Sequence, residues 1–66
     1  MLIVVNGEER TVSPGLAVSE LLDQLGLKPG MVVVEHNREI MAREALSKVA
    51  LAEGDRIELV HFVGGG

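Results

Sequence analysis

The chain has 66 residues, of which 47% are hydrophobic, and its ten acidic and six basic residues give a formal net charge of −4. A domain of about 60 residues buries only about 60% of its unfolded surface, so the length predicts one domain and disfavours an autonomous enzyme with an elaborate pocket. The acidic balance argues against nucleic-acid binding and favours a basic partner.

The N-terminal segment is typical of a β-hairpin. Residues 1–5 form a run rich in β-branched side chains, and Asn6-Gly7 after it is the strongest short-range hairpin signal. Residues 8–12 can return as the second strand. Ser13-Pro14-Gly15 then ends the hairpin.

A short helix is predicted next, because apolar residues recur at the spacing of one helical face. These residues are Val18, Leu21, Leu22 and Leu25. Gly26 stands where a left-handed C-terminal cap is expected. Ala17 cannot cap the first turn with its side chain, which costs roughly 1 kcal/mol, so Ser19 is expected to cap a helix that begins slightly later.

The middle of the chain predicts several short extended segments. Residues 31–35 contain three consecutive valines, which fit a central strand buried on both faces. Further short pieces are expected to be a strand at residues 39–41, a helical turn at 43–46 and an extended segment at 49–51.

The final strand is predicted at residues 56–63, after a turn at Glu53-Gly54-Asp55. The order of hairpin, helix and strands predicts an α+β fold with one main helix on one face of a mixed sheet of four to five strands. We interpret it as a β-grasp, in which residues 1–63 form the domain and residues 64–66 a flexible glycine tail. By analogy with that fold, the first and last strands should lie side by side and parallel.

Side chains of the last strand should alternate between the two faces of the sheet. Ile57 and Leu59 should face the helix, whereas Glu58, Val60 and Phe62 should lie on the open face. Exposed apolar clusters often mark interaction sites, and aromatic residues often anchor them. The open face of this strand is therefore a predicted partner-binding surface.

Two readings of Phe62, the chain's one aromatic residue, remain open. Together with Val60 and Val63 it can form the apolar part of the partner-binding surface, with Glu58 pairing to a basic residue of the partner. Alternatively, Phe62 folds back on Val4 or Leu2 to complete the core.

The chain ends on Gly64, Gly65 and Gly66. Glycine has no Cβ, so such a tail can enter a channel too narrow for a side chain, and residues 63–66 can reach about 13 to 14 Å. The terminal carboxylate is a poor acyl electrophile at neutral pH, and ATP can activate it as an acyl adenylate. A cloning remnant or a frayed end is the alternative interpretation.

Along essentially its whole length the chain resembles the ThiS family, the sulfur carriers of thiamine biosynthesis. The resemblance rests on "VNG" in the hairpin, "VSELLDQLGL" in the helix, "VVVEHNREIMARE" in the middle and "EGDRIELVHFVGGG" at the end. The last motif is the specific one. The resemblance implies a ubiquitin-like β-grasp in which Gly66 is the modified residue, and Gly65 and Gly64 form its slender approach.

The resemblance also implies the partners. A ThiF-type adenylyltransferase, related to ubiquitin-activating enzymes, would adenylate Gly66 with ATP, and a donor such as a cysteine desulfurase would supply sulfur for a thiocarboxylate. A ThiG-type thiazole synthase would then receive that sulfur. The chain would be a carrier and a co-substrate rather than an enzyme, with no bound cofactor of its own, since its partner uses the ATP.

Other sites and locations are disfavoured by composition. No apolar run approaches the length of about 20 residues that a membrane helix needs, and the N-terminus lacks a secretion signal, so a cytoplasmic location with no membrane partner is expected. The chain has no cysteine, and two isolated histidines, His36 and His61, make a poor metal site. Both are predicted to be ordinary turn or strand residues.

Three alternative functions remain open. The chain can be a relative of the small subunit of molybdopterin synthase or another thiocarboxylate carrier. It can be a ubiquitin-like modifier that uses the same adenylate but is joined to lysine amines. It can also be a regulatory or ligand-binding β-grasp module with an inert tail.

Overall fold

The computed structural model describes residues 1–62, and residues 63–66 lie outside the described part of the chain. Within residues 1–62, five strands and one α-helix follow in the order β1 (Leu2–Val5), β2 (Glu8–Thr11), α1 (Val18–Gln24), β3 (Val32–His36), β4 (Glu39–Ile40) and β5 (Arg56–His61). Short 3-10 helices lie at Pro29–Met31 and Arg43–Ala45. None of the helices in this part of the chain is long and apolar enough to span a bilayer.

The predicted hairpin is confirmed, and its turn has the expected backbone. Asn6 has φ 49° and Gly7 has φ 83°. Positive φ at both central positions is what a type I′ turn requires, and asparagine and glycine adopt it most easily. The turn sets the register in which Val5 lies opposite Glu8.

The strands form one mixed sheet in the order β2-β1-β5-β3-β4. β1 and β5 are parallel, with Val4 opposite Arg56 and Val5 opposite Ile57. β3 is antiparallel to both β5 and β4. The first and last strands therefore lie side by side, and the predicted α+β β-grasp arrangement is confirmed.

Helix α1 begins at Val18 without a cap from the side chain of its N-cap residue, although Oε1 of Glu20 accepts from the N–H group of Ala17 (2.9 Å). Ala17 is its N-cap residue. The N–H group of Val18 donates to the carbonyl of Val49 (3.1 Å), and that of Ser19 donates to the carbonyl of Leu46 (2.8 Å). The expected cap at Ser19 is therefore wrong, because two loop carbonyls already satisfy donors of the first turn.

The helix ends at the predicted glycine. Gly26 has φ 73°. Its N–H group donates to the carbonyl of Asp23 (3.0 Å), and the N–H group of Leu27 donates to that of Leu22 (2.9 Å). These two bonds are the pair that defines a Schellman motif, so the chain turns sharply from the helix toward β3.

The buried apolar side chains form one cluster to which the helix, the sheet and the loops contribute. Its members are Ile3, Val12, Leu16, Val18, Leu21, Leu22, Val32, Val34, Leu46, Leu51 and Ile57. Val33, however, is only half-buried. The prediction that all three valines lie in a strand buried on both faces is wrong, because α1 covers one face of the sheet and Val33 points to the other.

Candidate partner-binding site

The open face of β5 carries the predicted surface residues. Val60 is 55% exposed, Phe62 at the end of the strand is 49% exposed, and Glu58 is exposed as well. On the other face, Ile57 is fully buried and Leu59 packs against the core. The predicted alternation along this strand is confirmed.

Two residues of the neighbouring segment extend this surface. Val33 on β3 lies directly opposite Val60. The N–H group of Phe62 donates to the carbonyl of Met31 (2.9 Å), whose side chain is 38% exposed. We call Met31, Val33, Val60 and Phe62 the apolar patch. Sequence reasoning missed Met31 and Val33, which an alternating interpretation of the valine run would have found.

Phe62 does not complete the core. Val4 lies opposite Arg56, and Phe62 is six residues farther along the chain, which corresponds to about 20 Å of extended strand. Leu2 lies farther still along β1. Because Phe62 is also half-exposed, the alternative in which it packs on Val4 or Leu2 is wrong.

Two carboxylates border the apolar patch. Glu35 on β3 lies directly opposite Glu58 on β5, and like charges at opposite positions destabilise a sheet. Among residues 1–62 the one salt bridge joins His36 and Asp55, so neither glutamate has a cationic partner there. An apolar patch with an acidic border favours a partner whose own apolar surface carries a basic side chain.

A polar network fixes the start of β5. The Nε2–H group of His36 donates to Oδ2 of Asp55 (2.8 Å), and Nδ2 of Asn37 donates to Oδ1 (3.2 Å). The backbone N–H group of Ala52 donates to Oδ2 as well (2.8 Å). Asp55 thereby joins the β3–β4 turn to the loop before β5, which is a structural role. In the described part of the chain, no three acidic or histidine side chains are grouped as metal ligands.

These contacts change the acidity of Asp55. Burial by itself raises the pKa of this carboxyl group, but the hydrogen bonds from His36, Ala52 and Asn37, together with the charge of His36, outweigh it and lower the pKa below its ordinary value. Because the folded-state pKa lies below the unfolded one, the contribution to stability is present above the unfolded pKa of about 3.9. It is lost as the pH falls from there through the folded-state pKa.

Replacing Asp55 by Asn should therefore lower the free energy of unfolding by about 1–2 kcal/mol near neutral pH. It should also flatten the decline in stability below about pH 4. Urea unfolding between pH 3 and pH 7 measures both effects. Asp23→Asn is the matched control, because Asp23 is exposed and its side chain accepts no hydrogen bond within residues 1–62. An Asp55→Asn curve that declines as steeply as the wild-type curve would contradict this role.

Comparison with known proteins places the chain in a family. The family model for ThiS matches residues 3–66. The chain belongs to the ThiS family. The matched region includes the glycines at positions 64–66, which lie outside the described residues.

Relatives of this ThiS-family chain have two sizes. The sulfur carrier protein ThiS of Bacillus subtilis is 45% identical over 49 residues, which is 74% of each chain. A thiazole synthase of Paramagnetospirillum magneticum is 44% identical over 66 residues, which is 100% of this chain but 20% of that protein. The chain thus spans one fifth of the length of that thiazole synthase.

A solved structure of a ThiS protein has the same fold. The crystal structure of the thiamine biosynthesis protein ThiS from Geobacter metallireducens superposes with a TM-score of 0.85 at 39% identity, and the match covers 100% of both chains. The ubiquitin-like β-grasp fold expected from the sequence is confirmed. The roles predicted for Val63, Gly64, Gly65 and Gly66 stay predictions, because those residues lie outside the described part of the chain.

Proposed function

We propose that this ThiS-family chain is a sulfur carrier of thiamine biosynthesis whose reacting group is the Gly66 carboxylate. The observation that carries the proposal is the match of the ThiS family model, which continues through the glycine ending to residue 66. The chain is then a co-substrate of other enzymes and not an enzyme itself.

The proposed chemistry has two steps. A carboxylate oxygen of Gly66 attacks the α-phosphorus of ATP in a ThiF-type adenylyltransferase, and pyrophosphate leaves. A sulfide-level nucleophile then attacks the acyl carbon, and AMP leaves; where the donor is the persulfide of a cysteine desulfurase, a thiol reductant first releases its outer sulfur as sulfide and is itself oxidised to a disulfide. The product is a thiocarboxylate, in which sulfur has replaced one carboxylate oxygen.

The apolar patch fits this chemistry as the surface that the adenylyltransferase binds. Phe62 is half-exposed, and the four residues after it reach about 13 to 14 Å when extended. An enzyme that binds the patch can therefore hold the Gly66 carboxylate within this distance of it. The acidic pair Glu35 and Glu58 favours a basic residue beside the enzyme's apolar contact surface.

A ThiG-type thiazole synthase is the proposed acceptor of the sulfur. Proteins named thiazole synthase contain a region similar to the whole of this chain, which supports a functional link between the two activities.

Intact mass measurement tests the proposal. Protein from native cells, and protein incubated with ATP, the adenylyltransferase and a sulfide source, should end at Gly66 and show one oxygen replaced by sulfur. A chain that continues past Gly66, or no mass change with any activating enzyme, would overturn the proposal. A ladder of higher masses on lysines would indicate a protein modifier, and transfer of the sulfur to a molybdopterin precursor would indicate the other carrier class.

Replacing Phe62 by Ala should weaken binding to the adenylyltransferase at least about tenfold, as removal of a central aromatic contact does. The thermal midpoint should change little, because Phe62 is half-exposed. Titration calorimetry and thermal unfolding measure the two effects. Ile40→Ala is the matched control, since Ile40 is 73% exposed on β4, which pairs with β3 and not with β5, and it lies outside the apolar patch. Normal binding with a large loss of stability would contradict the proposed role of Phe62.

A further inference from the structure

Strand β5 continues past the end of its neighbour β1. The last paired positions of the two strands are Val5 and Ile57, whereas β5 extends to His61. On its other side β5 is paired to its end, where His61 lies opposite Val32. Four residues of β5, about 13 Å of strand, therefore have no strand beside them on the β1 side.

The backbone groups on that side follow from the alternation of the ladder. The N–H group of Phe62 donates to Met31 on the β3 side, so the backbone groups of odd-numbered β5 residues point to the β1 side. Asn6 hydrogen-bonds to the first of these backbone groups. Its N–H group donates to the carbonyl of Ile57 (2.8 Å), and its Oδ1 accepts from the N–H group of Leu59 (2.7 Å).

Beyond Asn6 this hydrogen bonding stops. Within residues 1–62, neither the carbonyl of Leu59 nor the N–H group of His61 has a hydrogen-bond partner on the β1 side. A row of unpaired strand groups is a template for pairing with another chain. This edge therefore presents an acceptor and a donor at the spacing that an added strand uses.

A groove of about 370 Å³ lies beside this edge. Four of its lining residues are half-buried apolar side chains that pack on the core, namely Val5, Leu25, Leu27 and Leu59. Exposed polar residues of the hairpin and β5 line the remainder, namely Asn6, Glu8, Glu9, Arg10 and His61. Near the groove all four residues of β2 are exposed, and α1 has only seven residues.

We infer that an extended segment of the adenylyltransferase, the enzyme proposed to bind the adjoining apolar patch, pairs with β5 at Leu59 and His61, in line with β1. This inference rests on the proposed function. One apolar side chain of that segment enters the groove, since side chains of an added strand alternate between its two faces. Two acidic side chains, Glu8 and Glu9, and one basic side chain, Arg10, line the groove. A Lys or Arg beside the apolar residue of the added segment therefore matches the acidic charge of the groove.

The position of the unpaired edge, close to the glycine tail, is the reason for assigning the edge to the enzyme that binds the tail. His61 lines the groove and lies three residues before Gly64, the first residue of the glycine tail. A protein that holds the tail therefore lies close to the unpaired edge. A second copy of the chain is a poorer occupant, because two chains of net charge −4 repel each other.

Amide hydrogen exchange tests the inference. We expect the His61 amide to exchange rapidly in the free protein and at least tenfold more slowly in the complex with the adenylyltransferase. The Gly15 amide, in the turn after β2, is the internal control and should not change. A saturated complex in which the His61 amide still exchanges rapidly would overturn the inference and leave the proposed function intact.

Two variants of His61 provide a second measurement. His61→Pro removes the N–H group without breaking a bond to β3, and proline is tolerated at such unpaired positions; His61→Ala keeps the N–H group and removes only the imidazole. We expect His61→Pro to bind the enzyme at least tenfold more weakly than His61→Ala. Equal affinities of two folded variants would overturn the inference, as would a dimer of the free chain joined through β5. If His61→Pro does not fold, the exchange experiment decides, and failure of both the adenylyltransferase and thiazole synthase to bind the wild type would overturn the proposed function as well.

Discussion

Deleting Gly66, or adding one alanine after it, is expected to abolish adenylation and leave the fold intact. Either change moves the terminal carboxylate by one residue, about 3.3 to 3.6 Å, and a nucleophile displaced by 1 Å already loses much of its rate. The fold should persist because the buried apolar cluster described within residues 1–62 does not depend on position 66. Pyrophosphate release with the adenylyltransferase and the thermal midpoint measure the two expectations.

Gly66→Ala is the matched control for the Gly66 changes. It keeps the number of backbone atoms, and therefore the position of the carboxylate, but adds a Cβ next to it. We expect slowed but measurable adenylation in this variant. Normal pyrophosphate release from both the shortened and the lengthened chain would exclude the Gly66 carboxylate as the reacting group.

Replacing Ile57 by Ala should lower the free energy of unfolding by about 2–5 kcal/mol. Ile57 is fully buried and lies on β5, between β1 and β3. A chain of this size typically has about 3–10 kcal/mol of total stability, so the loss is a large fraction of the total. Urea unfolding measures this loss.

Val60→Ala is the control for Ile57→Ala on the same strand. Val60 is 55% exposed on the opposite face, so its truncation should change stability by no more than about 0.5 kcal/mol. Similar losses in the two variants would contradict the assignment of the two faces of β5. With the expected result, the strand is divided into a stabilising face and a face free to bind a partner.

Local backbone features were predictable where the identity of one or two residues determines the backbone conformation. Asn6 and Gly7 adopt the positive φ values of their turn, and Gly26 ends α1 in the left-handed conformation. The exposure of Val60 and Phe62 was also predictable, because alternation along a strand needs only the identity of one buried residue.

Contacts between distant segments were not predictable in the same way. The start of α1 is capped by the carbonyls of Val49 and Leu46, and no local pattern near Ala17 indicates those partners. The opposition of Glu35 and Glu58 depends on the register of two strands that are far apart in the chain, since these two residues are separated by 23 positions. The prediction for the valine run failed for a related reason, since composition does not show how many faces of a strand are covered.

The sequence by itself determined the elements, the alternation of β5 and the resemblance to the ThiS family, because these depend on local backbone preferences and on residue identity. Only the tertiary structure decided that Met31 and Val33 join Val60 and Phe62 in one patch. It also decided that β5 extends past the end of β1, so that Leu59 and His61 have no strand beside them on that side. Both features arise from strand register, which the packing of one short helix against one face of the sheet fixes for the whole domain.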